Sequence, residues 1–309
     1  MIVAALGLFW LDGVLDNVVV PPALNGLFLG QSHVPRGFLM LLVFVALIWL
    51  AMRELHGVFV AKGVECSFVM MSIAATVGLV LIWIMPYWFD AQHALAVYAS
   101  AVVLVFMATL IHHSWGGRVA GATMAAAAVL LAMVYMGVLP GFYLAARRWH
   151  SSWVVLLVIL VTKSCDIGAY FTGRAIGKHK LIPWLSPGKT WEGLFGGLLF
   201  SSLLATGLVA WANAAGVWHE NISTPGGQEV DVNYQIPLWA AAIGGALLGG
   251  IGQIGDLTAS LFKRDAGVKD SGAAVPGFGG LLDIMDSPIL VAPLGYWLMS
   301  MASNVHWWR

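Results

Sequence analysis

Charge is what this 309-residue chain has least of. Asp, Glu, Lys and Arg make up 10% of it, against 60% hydrophobic residues and a mean hydropathy of +0.86. A soluble domain is about a quarter charged, so an ordinary water-solvated surface is excluded. The 15 basic and 15 acidic residues cancel, which excludes a general nucleic-acid binder. Cysteine is scarce too. Cys66 lies in a polar loop and Cys165 in an apolar segment. They are far apart and lack metal-ligand spacing, which argues against a disulfide or a thiolate metal site. Strand-period alternation is absent, which leaves helices rather than a barrel. No internal repeat is visible, so the inverted-repeat signature of many transporters is missing. The opening "MIVAALGLFWLDGVLDN" has no basic leader and no small-residue cleavage site, and reads as a first span.

A phosphate loop is missing as well, although "SPGKTWEG" (Ser186–Gly193) contains Gly-Lys-Thr. A Walker loop needs a glycine five residues before its Gly-Lys, so that successive N–H groups curl around phosphates. Pro183 stands there, and Pro187 falls inside the cradle. Proline has no N–H to offer. Lys189, Thr190 and Glu192 stay chemically suggestive, but as side chains rather than as such a loop.

What is present is a series of long apolar runs. A hydrocarbon core about 30 Å thick takes about 20 apolar residues per helix. Nine spans are expected, near 2–20, 37–52, 68–86, 94–111, 119–140, 152–173, 193–212, 237–254 and 286–303. The fold class is therefore all-α, a polytopic integral membrane protein. Residues 1–150 form N-terminal helices and 151–309 carry the polar clusters.

Orientation follows from Lys and Arg. With the loop around 174–192 in the cytoplasm, Arg53, Lys62, Arg118, Arg174, Lys178, Lys180, Lys189, Lys263, Arg264 and Lys269 lie inside. Arg36, Arg147, Arg148 and Arg309 fall outside. The Arg147–Arg148 pair is the awkward feature. The loop near 213–236 is free of Lys and Arg, as an external loop should be.

Polar residues gather in three stretches at the proposed cytoplasmic face. In "TKSCDIGAYFTGRAIGKHK", Lys163 and Asp166 share a helix face. They either neutralise each other or line a polar cavity. Gly168, Gly173 and Gly177 permit close approach of a helix or a ligand. Arg174, Lys178, His179 and Lys180 form a basic rim, either a positive-inside flank or a phosphate-capturing edge. In "SPGKTWEG", Glu192 falls where a helix dipole favours a carboxylate. In "GQIGDLTASLFKRDAGVKDSGAAVPGFGGLLDIMDSP", Asp256 closes one span and a glycine-rich turn leads to Asp283 and Asp286. Two acids at a helix start satisfy the dipole. With Asp256 brought near, they also make an oxygen-ligand set suited to Mg²⁺ beside a basic cluster.

These residues, in this order, resemble the phosphatidate cytidylyltransferase (CDP-diacylglycerol synthase) family. Ser260, Lys263, Arg264, Lys269, Asp270, Gly272, Pro276, Gly277, Gly279, Gly280, Asp283 and Asp286 match its signature in register. "DIGAYFTGRAIGKHKL" and "SPGKTWEG" look like two further blocks. The resemblance covers about residues 150–300. It implies transfer of cytidylyl from CTP to phosphatidate with Mg²⁺, leaving room for a second metal or a monovalent cation. It places Asp256, Asp283 and Asp286 as metal ligands, with Lys263 and Lys269 also catalytic. Asp166, Ser186, Lys189, Thr190, Glu192, Arg264 and Asp270 would bind substrate. It further implies a homodimer among membrane lipids, in the bacterial inner membrane with a cytoplasmic active site. Two positions depart: Phe278 stands for the family's His and Ile284 for its Arg. They leave open a diverged member acting on another lipid phosphate, or a non-catalytic one. A transporter, the third reading, would spread polar residues through early spans as well.

Overall fold

A computed structural model of the chain describes every residue except 1, 116, 218, 224–228, 235, 270–271, 273–279 and 304–309. Ten α-helices dominate it: α1 (Ile2–Leu15), α2 (Phe38–Ala61), α3 (Phe68–Trp88), α4 (Ala91–Ser114), α5 (Ala122–Ala132), α6 (Leu139–Trp149), α7 (Ser152–Ile176), α8 (Trp191–Ala215), α9 (Leu238–Asp265) and α10 (Leu281–Ala302). A π-helical turn at Met133–Val138 joins α5 to α6 in one continuous rod. Among the described residues, eight helical rods are long and apolar enough to cross a membrane. The chain is an all-α, polytopic integral membrane protein.

The first expected span is corrected. α1 has 14 residues, about 21 Å at 1.5 Å per residue, too short for the hydrocarbon core. Asp12 explains why an acid sits in this apolar run. It is 1% exposed and accepts the Met40 N–H at 3.0 Å. α2 begins after Gly37, which has no side chain to cap with, so Asp12 caps it from another helix. Asp12 also accepts from Arg147 Nε at 2.6 Å, and Asp16 from Arg147 Nη2 at 2.5 Å. Burial, the largest influence, holds the Asp16 carboxyl above its ordinary range despite Arg147 and Arg36. α2 runs to Ala61, well past the expected end at 52.

The Arg147–Arg148 pair now has a reason. Arg147 is fully buried in ion pairs with Asp12 and Asp16. Arg148 answers a backbone defect. Pro86 lies inside α3 and has no N–H for the Ile82 carbonyl. Arg148 Nη2 donates to Trp83 O at 2.9 Å and to Ile82 O at 3.4 Å. Its guanidinium also lies 5.5 Å from the Tyr87 ring centroid. Both cations sit in the last turn of α6, where the dipole favours them.

The main core packs α2, α3, the α5–α6 rod, α7 and α10 around Met40, Ile48, Leu55, Leu79, Met136, Leu144 and Leu282. α7, α8 and α9 form a tight second group. A Cβ on Gly168 would lie 2.5 Å from Phe200 Cβ, so glycine there lets α7 and α8 touch. Two hairpins stand outside the spans. β1 (Lys180–Ile182) pairs with β2 (Ser186–Thr190) between α7 and α8, and β3 (His219–Ser223) with β4 (Glu229–Asn233) between α8 and α9.

Candidate active site

The Gly-Lys-Thr stretch is the second strand of the β1–β2 hairpin. Thr190 closes it and is the N-cap of α8, its Oγ1 accepting from Gly193 N at 3.1 Å. Trp191 N donates to His179 O at 3.0 Å. These first-turn donors already have acceptors, and the residue that faces the interior is Lys189. Glu192, in the first turn as expected, accepts from His179 Nδ1 at 2.6 Å and from His179 N at 3.2 Å. It fastens the start of β1 to α8.

Behind the hairpin lies a cavity of about 490 Å³. α7 contributes Asp166, Tyr170 and Arg174, the hairpin Ser186, Lys189 and Thr190, and α9 Gln253 and Asp256. Lys189 Nζ pairs with Asp256 Oδ2 at 2.7 Å and donates to Gln253 Oε1 at 2.9 Å. Gln253 Nε2 donates to Asp166 Oδ1 at 2.7 Å. The other oxygen of Asp166 faces Lys163 Nζ at 3.2 Å, and the same ammonium lies 3.7 Å from Asp286 Oδ1. Ser287 Oγ donates to Asp286 Oδ1 at 3.0 Å. α9 reaches α10 closely here because residue 255 is glycine. A Cβ on it would stand 2.5 Å from the Asp286 carbonyl oxygen.

Asp166, Ser186, Lys189, Thr190 and Asp256 therefore converge on one cavity. The other expected residues do not line it. Asp283 pairs with Lys263 at 2.5 Å and accepts from Gly280 N at 3.3 Å, securing the start of α10. Asp286 is 2% exposed and adjoins the cavity through Lys163. Arg264 Nε donates to Leu185 O at 3.4 Å, tying α9 to the hairpin turn. Lys269 is exposed in the bend after α9. Asp270, Phe278 and the glycine-rich turn at 276–279 lie outside the described residues. Among the described residues, no three His, Cys, Asp or Glu stand close enough to hold a metal by themselves, so Asp256, Asp283 and Asp286 do not form such a triad.

Two residues of this region were not expected from the sequence. Gln253 joins the two halves of the charge network. It lies three residues before Asp256, on the same helix face, which was the available signal. Glu54 of α2 is 7% exposed and accepts from Leu281 N at 2.8 Å and Leu282 N at 2.9 Å. It caps α10, whose N-cap is Gly280, as Asp12 caps α2. An acid next to Arg53 within an otherwise apolar helix was the signal there.

A sequence model of the cytidylyltransferase family matches residues 17–302. The chain belongs to that family. A phosphatidate cytidylyltransferase of Staphylococcus aureus is 30% identical over 264 residues, covering 84% of this chain and 89% of that protein. Those of Staphylococcus saprophyticus and Haemophilus influenzae are each 40% identical, over 172 and 145 residues. These two alignments cover 55% and 47% of this chain and 58% and 45% of those proteins. The family match thus extends well before residue 150, where the motifs begin.

Proposed function

We propose that this chain transfers the cytidylyl group of CTP to phosphatidate, giving CDP-diacylglycerol and pyrophosphate. The activity would serve phospholipid synthesis in a bacterial inner membrane, with the cavity on the cytoplasmic face. The observation that carries the reading is the meeting of Lys189, Asp166, Asp256 and the hydroxyls of Ser186 and Thr190 in one cavity. Basic residues cluster on this face, as the positive-inside rule asks of a cytoplasmic one.

The donor chemistry fits Mg²⁺. The Asp166 and Asp256 side chains are 31% and 35% exposed, and Asp286 shares Lys163 with Asp166. Few carboxylates, completed by phosphate oxygens and water, are what Mg²⁺ takes. Asp166 and Asp256, the two that open on the cavity, would hold it, and bound there it would neutralise the triphosphate and the departing pyrophosphate. The protein's own part is positioning. The phosphatidate phosphate is already ionised near neutral pH, so no strong general base is required. One of its oxygens attacks the α-phosphorus of CTP. The bond from that phosphorus to the bridging oxygen breaks, and pyrophosphate leaves with the electron pair. Lys189 neutralises a phosphate oxygen. Ser186 donates a hydrogen bond. Thr190 does too, because its Oγ1 accepts from Gly193 N and its O–H remains available. Arg174 extends positive charge to the cavity edge. The homodimer that the resemblance implies stays part of the proposal. α4, with 6% of its span buried by its own chain, offers a face for a second copy, and cross-linking between introduced α4 cysteines in membranes tests it.

The test is formation of labelled CDP-lipid from α-labelled CTP, phosphatidate and Mg²⁺ by the purified chain in mixed micelles. Turnover is expected, with a loss of about a hundredfold or more in Asp256→Asn. Absence of product from the unmodified chain refutes the reaction. Product with another lipid phosphate alone moves the acceptor.

A further inference from the structure

We infer that Gln253 is a positioning residue that sets where Lys189 stands and keeps two lysine–carboxylate groups apart. Its side chain is neutral, 6% exposed and placed between opposite charges. Oε1 takes a hydrogen from the Lys189 ammonium, and Nε2 gives one to Asp166. The amide has one workable orientation, because turning it over would set its NH₂ against an ammonium and its oxygen against a carboxylate. On one side stand Lys189 and Asp256. On the other stand Asp166, Lys163 and Asp286. Lysine is a compact charge on a flexible stem. Without the amide between them, Lys189 would swing to bridge Asp166 and Asp256.

Hydrogen-bond arithmetic gives the arrangement its use. An ammonium has three N–H donors. Asp256 takes one of Lys189's at 2.7 Å and Gln253 Oε1 takes another at 2.9 Å. The third has a long 3.4 Å contact with the Gln253 backbone carbonyl. That weakly held donor is the one a phosphate oxygen entering the cavity would capture. Gln253 thus presents Lys189 to a phosphate with its stem already fixed, which lowers the ordering cost of binding. For its kinetic consequence this inference rests on the reaction proposed above; for the position of Lys189 it does not.

The experiment compares Gln253→Glu, nearly isosteric, with Gln253→Leu, in the full-length chain. The first readout is isotope-coded acylation of lysines, resolved residue by residue by mass spectrometry. A second carboxylate beside Lys189 slows its acylation in Gln253→Glu. Loss of the acceptor speeds it in Gln253→Leu, each by about threefold or more. Lys62 and Lys178 serve as references and stay unchanged. The second readout is kinetic. In Gln253→Glu the KM for CTP rises by about tenfold or more while kcat changes less, as expected when a binding charge is pinned elsewhere. Opposite shifts confined to Lys189 support the inference. Unchanged Lys189 reactivity in both variants overturns it, and so do equal shifts at every lysine, which would report loosened packing. If the unmodified chain makes no CDP-lipid, the proposed reaction fails, and the acylation readout still decides the role of Gln253.

Discussion

Replacing Glu54 tests whether the N-terminal helices hold the start of α10 in place. Its carboxylate accepts from two consecutive N–H groups, Leu281 and Leu282, at 2.8 and 2.9 Å. Both belong to the first turn of α10, whose N-cap glycine offers no side chain. Glu54→Ala leaves one buried and one half-buried donor without this acceptor, the buried one alone at about 1–3 kcal/mol and the other at less. Glu54→Gln keeps one carbonyl oxygen but turns an NH₂ toward the other donor, so about half that loss is expected. Because α10 carries Asp283 and Asp286, CDP-lipid formation should fall further than stability alone accounts for. The chain supplies its own probe. Cys165 is buried and unpaired, and a thiol-reactive dye reports its exposure on heating once Cys66 is changed to Ser. Melting temperatures in the order unmodified, Glu54→Gln, Glu54→Ala support the argument. An unshifted Glu54→Gln with full turnover refutes it.

Further tests reach other parts of the molecule. Arg148→Met should cost about 1–3 kcal/mol by stripping the Ile82 and Trp83 carbonyls of their donor. Pro86→Ala in that background should recover part of it by restoring a helical N–H, so thermal melting of the four chains should show coupling. Gly255→Ala drives a methyl against the Asp286 carbonyl, at about 1–3 kcal/mol for overpacking. It should depress turnover more than melting temperature, because Asp256 and Asp286 straddle that contact. Burial above all, with the charge of Arg36, pushes the His150 imidazole down to about 3. The unfolded chain then takes a proton that the folded chain refuses, so stability is full above about pH 6.5. It falls as pH drops toward 3, by up to about 1.4 kcal/mol per unit. His150→Gln should flatten that acid limb in melting curves. Chelation of divalent ions should abolish CDP-lipid formation, and added Mg²⁺ should restore it; turnover that survives chelation would contradict the metal assignment.

Hydropathy made the long spans legible, because their length is set by the membrane and not by neighbours. It failed at α1, where the apolar run continues past Asp12 and Asp16 to Val20. The helix itself stops at Leu15, and both acids turn inward to Arg147. No count of apolar residues contains that partnership. In the candidate site, Asp166, Ser186, Lys189, Thr190 and Asp256 were legible as chemical types in suggestive blocks, and the fold brings them to one cavity. What spacing alone could not separate was a carboxylate that opens on the cavity from one that secures a helix. Asp256 and Asp283 look alike in sequence. They differ because α10 begins at a glycine and uses Asp283 at its first turn. Gln253 was hidden for the opposite reason: it is uncharged, and its meaning comes from the two ions it separates.

The face opposite the cavity carries Arg36, Arg147 and Arg148. Arg36 lies 3.5 Å from Asp16, Arg147 is enclosed by Asp12 and Asp16, and Arg148 is folded onto helix carbonyls. None of the three projects its full charge into the headgroup layer there. That end of the bundle thus shows solvent and headgroups less positive charge than three arginines would suggest. Neutralising Asp12 or Asp16 would return positive charge to that face, so two small acids near the start of the chain set how much charge that end presents.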